Sequence, residues 1–299
     1  MIDRDVYQCL AASALKTNKI KVGPLITNPL TRHSTVTASA IMTLNEISNG
    51  RAILGIGPGD GSVRRIGLKP ATTEKLESTV KDLRKLLSGQ PVAFTSDSTN
   101  SMRWTSGNIP IFVPATGQKM LELAGRVADG VVLNVGTNAK SIEDAVERIH
   151  SGLKERSERS QFTVACFNYI SVMEDRNEAI KAAKPYVVWY LRNAIRLFEL
   201  AGISMEEFRS HLTASEKNYL ETDFIHANDW ATSVEKSSFI TDEMVENFTI
   251  AGNPEDVIKQ IRGLEQHGVN MYIARHTGDE SDWKKFLKIY CESVGPAFA

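Results

Sequence analysis

The sequence predicts an α/β protein that is built on a mostly parallel sheet. Short apolar runs alternate along most of the chain with longer amphipathic stretches, and this alternation is typical of right-handed β-α-β units. The apolar runs contain few polar positions, as is usual for parallel strands that are buried on both faces. No low-complexity linker interrupts the pattern, so we expect a single domain over residues 1–299.

Six apolar runs predict the strands of this sheet. Each run is short and rich in β-branched or other apolar residues, and most are followed by a loop that contains Gly, Asn or Pro. In chain order the predicted strands are Lys19–Ile26, Arg51–Gly57, Ile109–Pro114, Gly130–Val135, Phe162–Ser171 and Val269–Ala274.

The stretches between these runs carry apolar residues at the spacing of an amphipathic helix. In chain order the predicted helices are Asp5–Lys16, Ser34–Ile47, Thr72–Ser88, Gly117–Ala128, Ser141–Arg156 and Arg176–Leu200. The following segment, Ala201–Asn247, breaks the alternation with charged helical pieces and the turn-like sequence His226–Trp230. We interpret it as a helical insertion above the sheet, which is a usual location for a substrate lid.

The number of predicted strands is compatible with two parallel architectures. A closed (β/α)8 barrel requires eight strands and ordinarily begins with a strand, whereas this chain begins with a predicted helix. A doubly wound open sheet is compatible with six strands. The alternation by itself therefore leaves both the barrel and the open sheet open.

The composition is that of a globular protein. The 299 residues include 35 Lys and Arg against 36 Asp and Glu, a formal net charge of −1, and 42% of the residues are hydrophobic. These values exclude global disorder and disfavour a dedicated nucleic-acid-binding protein, which usually carries a basic excess.

The cysteines and the N-terminal sequence indicate the compartment. Cys9, Cys166 and Cys291 lie far apart without C-x-x-C spacing, which is typical of reduced thiols. The charged N-terminal sequence is unlike a signal peptide, and no stretch is apolar enough for a membrane span. We therefore expect a cytoplasmic protein with no membrane partner and no nucleic-acid partner.

The most informative local feature is the glycine-rich segment Gly50–Gly61. Its glycines alternate in a loop after a predicted strand, and glycine allows a flat or anionic ligand to approach the backbone closely. Asp60 follows that strand at its carboxyl end, where α/β proteins place their chemistry, and is the candidate catalytic residue. The segment is a poor match to the dinucleotide-binding fingerprint, which has Gly or Ala where Asp60 stands.

Three further loops follow predicted strands. The loop Pro114–Lys119 opens a helix, and the free N–H groups of a helix N-terminus favour a phosphate. The loop Thr27–His33 offers polar groups for the edge of a ring system, with Arg32 as an anion partner, although Asn-Pro turn chemistry explains it equally well. Gly136, Thr137 and Asn138 repeat the arrangement after a fourth predicted strand, Gly130–Val135.

Several common catalytic signatures are absent from the sequence. It contains no G-x-x-x-x-G-K-[ST], no H-E-x-x-H and no G-x-S-x-G, and its six histidines show no metal-ligand spacing. Nucleophilic and metal-dependent hydrolysis are therefore disfavoured, and we predict no metal site. A bound organic cofactor that supplies the chemistry is the natural inference.

Three long runs carry a resemblance to a known family. They are GPLITNPLTRHSTVTASAIMTLNEISNGRAILGIGPGD (Gly23–Asp60), IPIFVPATGQKMLELAGRVADGVVLN (Ile109–Asn134) and AGNPEDVIKQIRGLEQHGVNMYIA (Ala251–Ala274). In these runs the chain resembles the luciferase-like family of flavin- and deazaflavin-dependent oxidoreductases, most closely its coenzyme F420-dependent methylenetetrahydromethanopterin reductases. The resemblance covers essentially the whole chain and is weakest over Leu197–Asn247.

The resemblance implies a (β/α)8 TIM barrel with the deazaflavin at the carboxyl ends of the strands. It implies hydride transfer between coenzyme F420 and a one-carbon-carrying pterin, with Asp60 steering a proton or the cationic iminium. It also implies a homo-oligomer. The candidate cofactor-binding residues are Gly23, Pro24, Thr27, Asn28, Gly57, Gly59, Ala115, Thr116, Gly117, Gln118, Asn134 and Gly136.

Family members often have a non-prolyl cis peptide bond in the strand that corresponds to Lys19–Ile26. Because Pro24 lies in that strand, the Gly23–Pro24 bond is the candidate cis bond of this chain.

Two features depart from the family pattern. Family members begin with a strand, a helix and a second strand, which have no counterpart before Asp3–Tyr7, so we expect a barrel that lacks this first strand-helix-strand. The loop after the last predicted strand reads Arg275–Asp279 instead of a Gly-Ser-Pro-rich sequence. Two other interpretations stay open: an FMN-dependent monooxygenase, because isoalloxazine and deazaflavin are nearly isosteric, and a non-catalytic truncated paralogue.

Overall fold

A computed structural model of the chain describes residues 4–156, 161–221, 230–278 and 282–298. The contacts divide the chain into two compact units. The first comprises Met1–Val132 and Arg148–Phe162, and the second comprises Leu133–Glu147 and Thr163–Ala299. The single domain expected from the sequence stays a prediction.

The described residues form fourteen α-helices. They are Val6–Leu15 (α1), Ser34–Ile47 (α2), Gly61–Arg64 (α3), Thr73–Leu87 (α4), Gln118–Val127 (α5), Ala139–Lys154 (α6), Arg176–Asn193 (α7), Arg196–Leu200 (α8), Met205–His211 (α9), Ala214–Leu220 (α10), Trp230–Lys236 (α11), Asp242–Phe248 (α12), Pro254–Glu265 (α13) and Trp283–Ile289 (α14). A π-helical turn and a 3-10 turn, Tyr290–Val294 and Gly295–Phe298, follow α14.

The described residues also form eight strands. They are Leu54–Gly55 (β1), Val92–Thr95 (β2), Ser98–Asn100 (β3), Ile111–Ala115 (β4), Gly130–Leu133 (β5), Thr163–Val172 (β6), Ile250–Gly252 (β7) and Met271–His276 (β8). In the first unit β1 pairs with β4 in parallel, and β5 lies beside β4. In the second unit β6 lies between β7 and β8 and is parallel to both.

Local capping residues explain why the helices of the first unit match their predicted ranges. Helices α1, α2, α4 and α5 agree with the prediction to within one residue at each end. The Asp5 carboxylate accepts hydrogen bonds from the N–H groups of Tyr7 and Gln8, and the Thr72 hydroxyl accepts one from Lys75. These bonds satisfy N–H groups that have no partner inside the helix, so the chain begins its helices at these residues.

Three predictions about the secondary structure are wrong. The predicted strand Lys19–Ile26 is not continuous: it meets the next segment only through single parallel bridges at Val22 and Thr27, because Pro24 between them has no N–H to donate. The cis peptide bond in this segment joins Leu25 and Ile26, not Gly23 and Pro24.

The third wrong prediction is the continuous helix Arg176–Leu200, which is divided into α7 and α8. The division occurs at Ala194, whose backbone leaves the helical region with φ −146° and ψ 44°. The prediction also missed β7 and the antiparallel hairpin of β2 and β3, which are too short to give a periodic signal. Part of the predicted insertion, residues 222–229 with the start of His226–Trp230, lies outside the described residues.

Each unit has its own apolar core. In the first unit the fully buried side chains include Ile41, Met42, Leu54, Leu83 and Ile111, from α2, β1, α4 and β4. In the second unit the largest fully buried side chains are Tyr190, Phe198 and Phe248, from α7, α8 and α12. None of the helices in the described part of the chain is both long enough and apolar enough to cross a membrane.

The Arg51 side chain connects the C-terminal end of α1 with the turn after α2. The Arg51 guanidinium donates from Nη2 to the carbonyl oxygens of Ala14 and Thr17, from Nη1 to that of Ile20 and from Nε to that of Ser48, at 2.5–3.0 Å. These acceptors include the carbonyl groups at the end of α1 that no helical N–H reaches. The guanidinium thus joins the end of α1 to the turn after α2.

We predict that Arg51→Met lowers the free energy of unfolding by about 2–4 kcal/mol, because several carbonyl groups lose a charged donor at once. Urea unfolding followed by circular dichroism measures this loss. Lys81→Met is the control, since Lys81 is 60% exposed and forms an exposed ion pair with Glu77. It should change the free energy by less than about 1 kcal/mol. Equal effects of the two variants would contradict the assigned role of Arg51.

Candidate active site

Two backbone segments of the first unit lie against each other at the carboxyl ends of its strands. The Gly55 N–H donates to the Pro24 carbonyl oxygen at 3.0 Å, and the Thr27 N–H donates to the Gly55 carbonyl oxygen at 2.9 Å. A Cβ atom on Gly23 would lie 1.9 Å from the Ile53 carbonyl oxygen. The segment with Gly23, Pro24 and Thr27 is therefore held on the backbone of β1, with no room for a side chain at Gly23.

The predicted glycine-rich loop and the loop after β4 meet at Gly57. A Cβ atom on Gly57 would lie 2.6 Å from Pro114 Cγ and 2.7 Å from Ile26 Cδ1. A Cβ atom on Gly59, whose φ is +84°, would lie 2.4 Å from Val63 Cγ2 and 3.1 Å from Asn28 Cβ. The structure thus brings together residues from three of the predicted loops, and the space left by the missing side chains is filled by protein atoms.

Asn28 organises the turn in which it lies. The residue is 7% exposed, and its Oδ1 atom accepts hydrogen bonds from the N–H groups of Leu30 and Thr31 and from the Thr31 hydroxyl, at 3.0–3.2 Å. These are the bonds of an Asx turn, so the turn chemistry considered from the sequence accounts for Asn28. Its contact with the cofactor ring stays a prediction.

Leu25 and Ile26 form an exposed apolar surface beside this turn. Their relative exposures are 44% and 43%, and the cis peptide bond lies between them. Ile26 Cγ2 and Leu25 Cδ2 pack on Gly55, where a Cβ atom would lie 2.7 and 2.9 Å from them. Neither residue was predicted from the sequence as a site residue, although a cis peptide bond was expected in this segment.

Helix α5 begins at the edge of the same unit with an uncapped N-terminus. Its N-cap residue is Gly117, which has no side chain that could accept a hydrogen bond from the first N–H groups of the helix. No neighbouring heavy atom lies within 4 Å of the position that a Cβ atom of Gly117 would occupy. Gly117, Gln118 and Lys119 are exposed, and Thr116 is partly exposed. The positive end of the helix dipole and the Lys119 ammonium therefore face an open surface, which suits an anionic group.

The candidate catalytic residue Asp60 lies just before α3 and faces solvent. Its carboxylate accepts a hydrogen bond from Arg64 Nε at 2.6 Å, and the two side chains are 73% and 64% exposed. An ion pair this exposed holds its partners weakly, so the carboxylate is accessible to a ligand. Arg64 was not predicted as a partner of Asp60, but its four-residue spacing from Asp60 at the start of a helix is a signal that could have identified it.

Arg32, the predicted anion partner, has a carboxylate partner within the chain. Its Nη2 atom forms an ion pair with Asp5, and its guanidinium carbon lies 5.0 Å from the centre of the Tyr7 ring. The hydrogen bond from Gln8 N–H and the Arg32 charge hold the pKa of Asp5 below its usual value. Burial raises the pKa of Tyr7, which is 8% exposed. Neither Asp5 nor Tyr7 was predicted to lie near Arg32, because the sequence separates them by more than twenty residues.

In the second unit the loop that contains Asn134 and Gly136 is held by contacts from α7 and α12. The Tyr190 hydroxyl donates to Asn134 Oδ1 at 2.7 Å. The Asn247 carbonyl oxygen accepts hydrogen bonds from the N–H groups of Thr137 and Asn138, at 2.9 and 3.1 Å. A Cβ atom on Gly136, whose φ is +77°, would lie 2.6 Å from the same oxygen.

An aromatic stack lies at the carboxyl end of β6 in the same unit. The rings of Tyr169 and Tyr186 are 4.0 Å apart, Trp230 of the predicted insertion lies 5.0 Å from Tyr186, and Arg275 lies 5.7 Å from the Tyr169 ring centre. Cys166 on β6 is fully buried, and burial raises the pKa of its thiol to about 12, so it is protonated at neutral pH. Within the described ranges, no three His, Cys, Asp or Glu side chains are grouped so as to hold a metal ion.

Comparison with known proteins identifies relatives over most of the chain. The family model described as luciferase-like monooxygenase matches residues 1–271. The 5,10-methylenetetrahydromethanopterin reductase of Archaeoglobus fulgidus is 36% identical over 282 residues, which are 91% of this chain and 81% of that protein. The protein of the same name from Methanolobus tindarius is 34% identical, over 91% of this chain and 82% of its own length.

A solved structure gives the same result for the fold. The coenzyme F420 dependent tetrahydromethanopterin reductase from Methanopyrus kandleri superposes with a TM-score of 0.78 at 28% identity, over 99% of this chain and 88% of that one. This similarity confirms the predicted α/β fold class of the luciferase-like TIM-barrel type.

We predict that Gly57→Ala lowers the free energy of unfolding by about 1–3 kcal/mol, because its Cβ atom overlaps Pro114 and Ile26. Gly117→Ala is the matched control, since its Cβ atom meets nothing, and it should change the free energy by less than about 1 kcal/mol. Thermal and urea unfolding measure both values. A larger loss for Gly117→Ala than for Gly57→Ala would contradict this description of the loops.

Proposed function

The chain belongs to the luciferase-like monooxygenase family, and from this membership we propose that it is a coenzyme F420-dependent oxidoreductase of the methylenetetrahydromethanopterin reductase type. Its reaction is hydride transfer between the deazaflavin and a one-carbon-carrying pterin. The observation that carries the proposal is the arrangement in the first unit. The exposed apolar side chains of Leu25 and Ile26 pack on Gly55 of β1, and Asp60 lies in the loop that follows this strand.

The residues of the first unit fit the chemical character of a deazaflavin coenzyme. Leu25 and Ile26 offer an apolar surface that suits a flat ring, since removing such side chains from water is favourable. The uncapped start of α5 at Gly117, with Lys119 in its first turn, suits the phosphate of an anionic tail. Thr27, Asn28, Gly57 and Gly59 hold the loops that support the apolar surface.

When bound, coenzyme F420 supplies the two-electron hydride chemistry that no side chain of the protein provides. The side chains act by position and charge. Leu25 and Ile26 exclude water from the face that the ring would cover, because both are apolar and already packed on Gly55. The Asp60 carboxylate supplies a negative charge that stabilises the cationic iminium form of a methylene-pterin.

FMN-dependent monooxygenation is the second candidate function. It is favoured by one observation, the description of the matched family model as a monooxygenase. The reductase proposal has the stronger support, because both curated relatives described above carry the reductase name.

The surface of α1 and α2 supports the homo-oligomer expected from the resemblance. Helix α1 contains no charged residue and α2 contains only Glu46. Apolar side chains on these helices are nevertheless exposed: Val6 by 40%, Leu15 by 73% and Val36 by 49%. Uncharged apolar helix faces are usually covered, so a second copy of the chain is the proposed partner of this surface.

A reducing compartment, the cytoplasm, is the proposed location of the protein. All three cysteines are free thiols, and Cys9 and Cys291 are exposed. Exposed free thiols persist where the surroundings keep them reduced.

Parallel titrations with coenzyme F420 and FMN, followed by absorbance and fluorescence, test the proposed function. We expect selective binding of the deazaflavin. Under anaerobic conditions, we expect oxidation of the reduced deazaflavin coupled to reduction of a methylene-pterin. Binding of FMN alone, with oxygen consumption by the reduced complex, would replace the proposal by the monooxygenase. Binding of neither cofactor would support the non-catalytic paralogue.

We predict that Asp60→Asn lowers turnover with the methylene-pterin by about 100-fold, because the negative charge that stabilises the iminium is lost. Deazaflavin affinity should change less than about twofold, since the substitution preserves the shape of the side chain. Steady-state kinetics and a fluorescence titration measure the two effects. Asp242→Asn is the control, because Asp242 is also exposed and forms an ion pair with Lys184. Unchanged turnover would remove Asp60 from the catalytic role.

We predict that the double variant Val36→Glu and Ile47→Glu dissociates the oligomer, because these side chains, 49% and 37% exposed in the single chain, would place charges in the proposed interface. Sedimentation at matched concentrations should show a lower mass for the variant than for the unsubstituted chain. Ile66→Glu, which is equally exposed outside these helices, should leave the mass unchanged. A monomeric unsubstituted chain would contradict the proposed assembly.

A further inference from the structure

We infer that the first unit contains a second ligand site, a cavity that binds a small guanidinium compound through the Trp104 ring and the Glu46 carboxylate. The cavity lies between the end of α2 and the loop before β4 and has a volume of about 590 Å³. A volume of this size suits a small molecule rather than a single ion. The inference uses residues of the first unit alone and does not rest on the proposed function.

The cavity lies at the opposite edge of the sheet from the candidate active site. Its residues Asn49 and Gly50 precede β1, and Trp104, Thr105 and Ser106 precede β4. Because these two strands are parallel, both groups lie at the amino ends of the strands, whereas the candidate active site follows the carboxyl ends. The cavity is therefore separate from the site proposed for the cofactor.

Hydrogen bonds within the first unit hold the walls of the cavity in place. The buried Asn45 accepts at Oδ1 a hydrogen bond from the Ala52 N–H at 3.0 Å and donates from Nδ2 to the Ser106 carbonyl oxygen. The Ser106 hydroxyl donates to the Met42 carbonyl oxygen at 3.0 Å. The two bonds of Ser106 attach the loop that carries Trp104 to α2, so the cavity is formed before a ligand binds.

Glu46 gives the cavity a negative charge. It is exposed, and among the described residues that line the cavity it is the single charged one. Within the described part of the chain its carboxylate forms no ion pair and no hydrogen bond. The cations next to the lining in the sequence, Arg51 and Arg103, are not part of it, and the Arg51 guanidinium binds carbonyl oxygens at the end of α1. The Glu46 carboxylate is therefore available to a cationic ligand and repels an anionic one.

Trp104 supplies an aromatic surface in the same cavity and is 37% exposed. The face of an indole ring attracts cations, and a planar guanidinium group stacks on such a face. The same group donates two parallel hydrogen bonds to a carboxylate, which the compact charge of an ammonium group does not. Asn49, also exposed in the lining, adds a carboxamide oxygen as a further acceptor. This combination favours a guanidinium compound.

Fluorine NMR of the protein labelled with 5-fluorotryptophan tests for binding, without any cofactor present. The chain contains four tryptophans, and the Trp104 signal is assigned by its loss in Trp104→Phe. During titration with butylguanidinium chloride this signal should shift to a saturating value, with a dissociation constant of about 0.1–5 mM. The signals of the other tryptophans should stay unchanged. An unchanged Trp104 signal would overturn the inference.

Reference compounds show whether charge and planarity determine the binding. Butylurea, a neutral compound of nearly the same shape, should leave the Trp104 signal unchanged, as should sodium chloride at equal ionic strength. Butylammonium should bind about threefold or more weakly, because it lacks the planar fork of donors. A shift with butylurea or sodium chloride equal to that with butylguanidinium would overturn the inference. Equal or tighter binding of butylammonium would overturn the assignment to a guanidinium compound.

The variant Glu46→Gln tests the role of the carboxylate. It should weaken the binding of butylguanidinium about tenfold, because the charge-assisted hydrogen bonds are lost while the shape of the side chain is kept. Asp97→Asn is the matched control, since Asp97 is also exposed but lies in the turn between β2 and β3, outside the lining. It should leave the dissociation constant unchanged. Unchanged affinity of Glu46→Gln, or an equal loss for Asp97→Asn, would overturn the inference.

The variant Trp104→Leu tests the role of the ring, with calorimetry as the measurement of binding. It should weaken binding about fivefold, because the cation loses the aromatic face. Trp283→Leu is the matched control, since Trp283 on α14 is 45% exposed, and it should bind like the unsubstituted chain. Unchanged affinity of a folded Trp104→Leu protein would overturn the role of the ring. If this variant fails to fold, the result with Glu46→Gln, at an exposed position, decides.

Discussion

The arrangement of the candidate site in the first unit depends on the absence of side chains at Gly55 and Gly57. Protein atoms occupy the positions where their Cβ atoms would lie: the Pro24 carbonyl oxygen and the Leu25 and Ile26 side chains at Gly55, and Pro114 and Ile26 at Gly57. Any larger residue would separate these segments, because backbone and proline atoms cannot move aside as a flexible side chain can. The exposed apolar surface of Leu25 and Ile26 exists because its inner half rests on these glycines.

In the structure, the glycines of the glycine-rich pattern have a different role from the one expected from the sequence. From the sequence, alternating glycines indicate a backbone that a ligand can approach closely. In the structure, Gly57 and Gly59 allow loops of the protein to approach each other, whereas Gly117 has open space at its Cβ position. The glycines of the first unit therefore support the binding surface from beneath, whereas the surface itself consists of two aliphatic side chains and a helix N-terminus.

In the second unit, hydrogen bonds hold the loop after β5 in place. Its loop after β5 is held by polar contacts, from the Tyr190 hydroxyl to Asn134 and from the Asn247 carbonyl oxygen to the next N–H groups. The Tyr190 ring packs against Trp189 of α7 and Phe248 of α12, and Phe248 packs in turn against Phe198 of α8. A site whose polar groups are fixed before binding loses less entropy when the ligand arrives, which is the usual advantage of a rigid support.

The sequence by itself determined the fold class, the ranges of α1, α2, α4 and α5, and the family, because alternation, capping and long motif runs are local properties of the chain. It also identified the loops that carry Gly57, Asp60 and Asn134. Only the tertiary structure decided that Leu25 and Ile26 are exposed beside the glycines, that Asp5 holds Arg32, and that Tyr190 orients Asn134 across 56 positions of sequence. Such contacts depend on which elements far apart in the sequence pack together, and a local sequence pattern does not determine that packing.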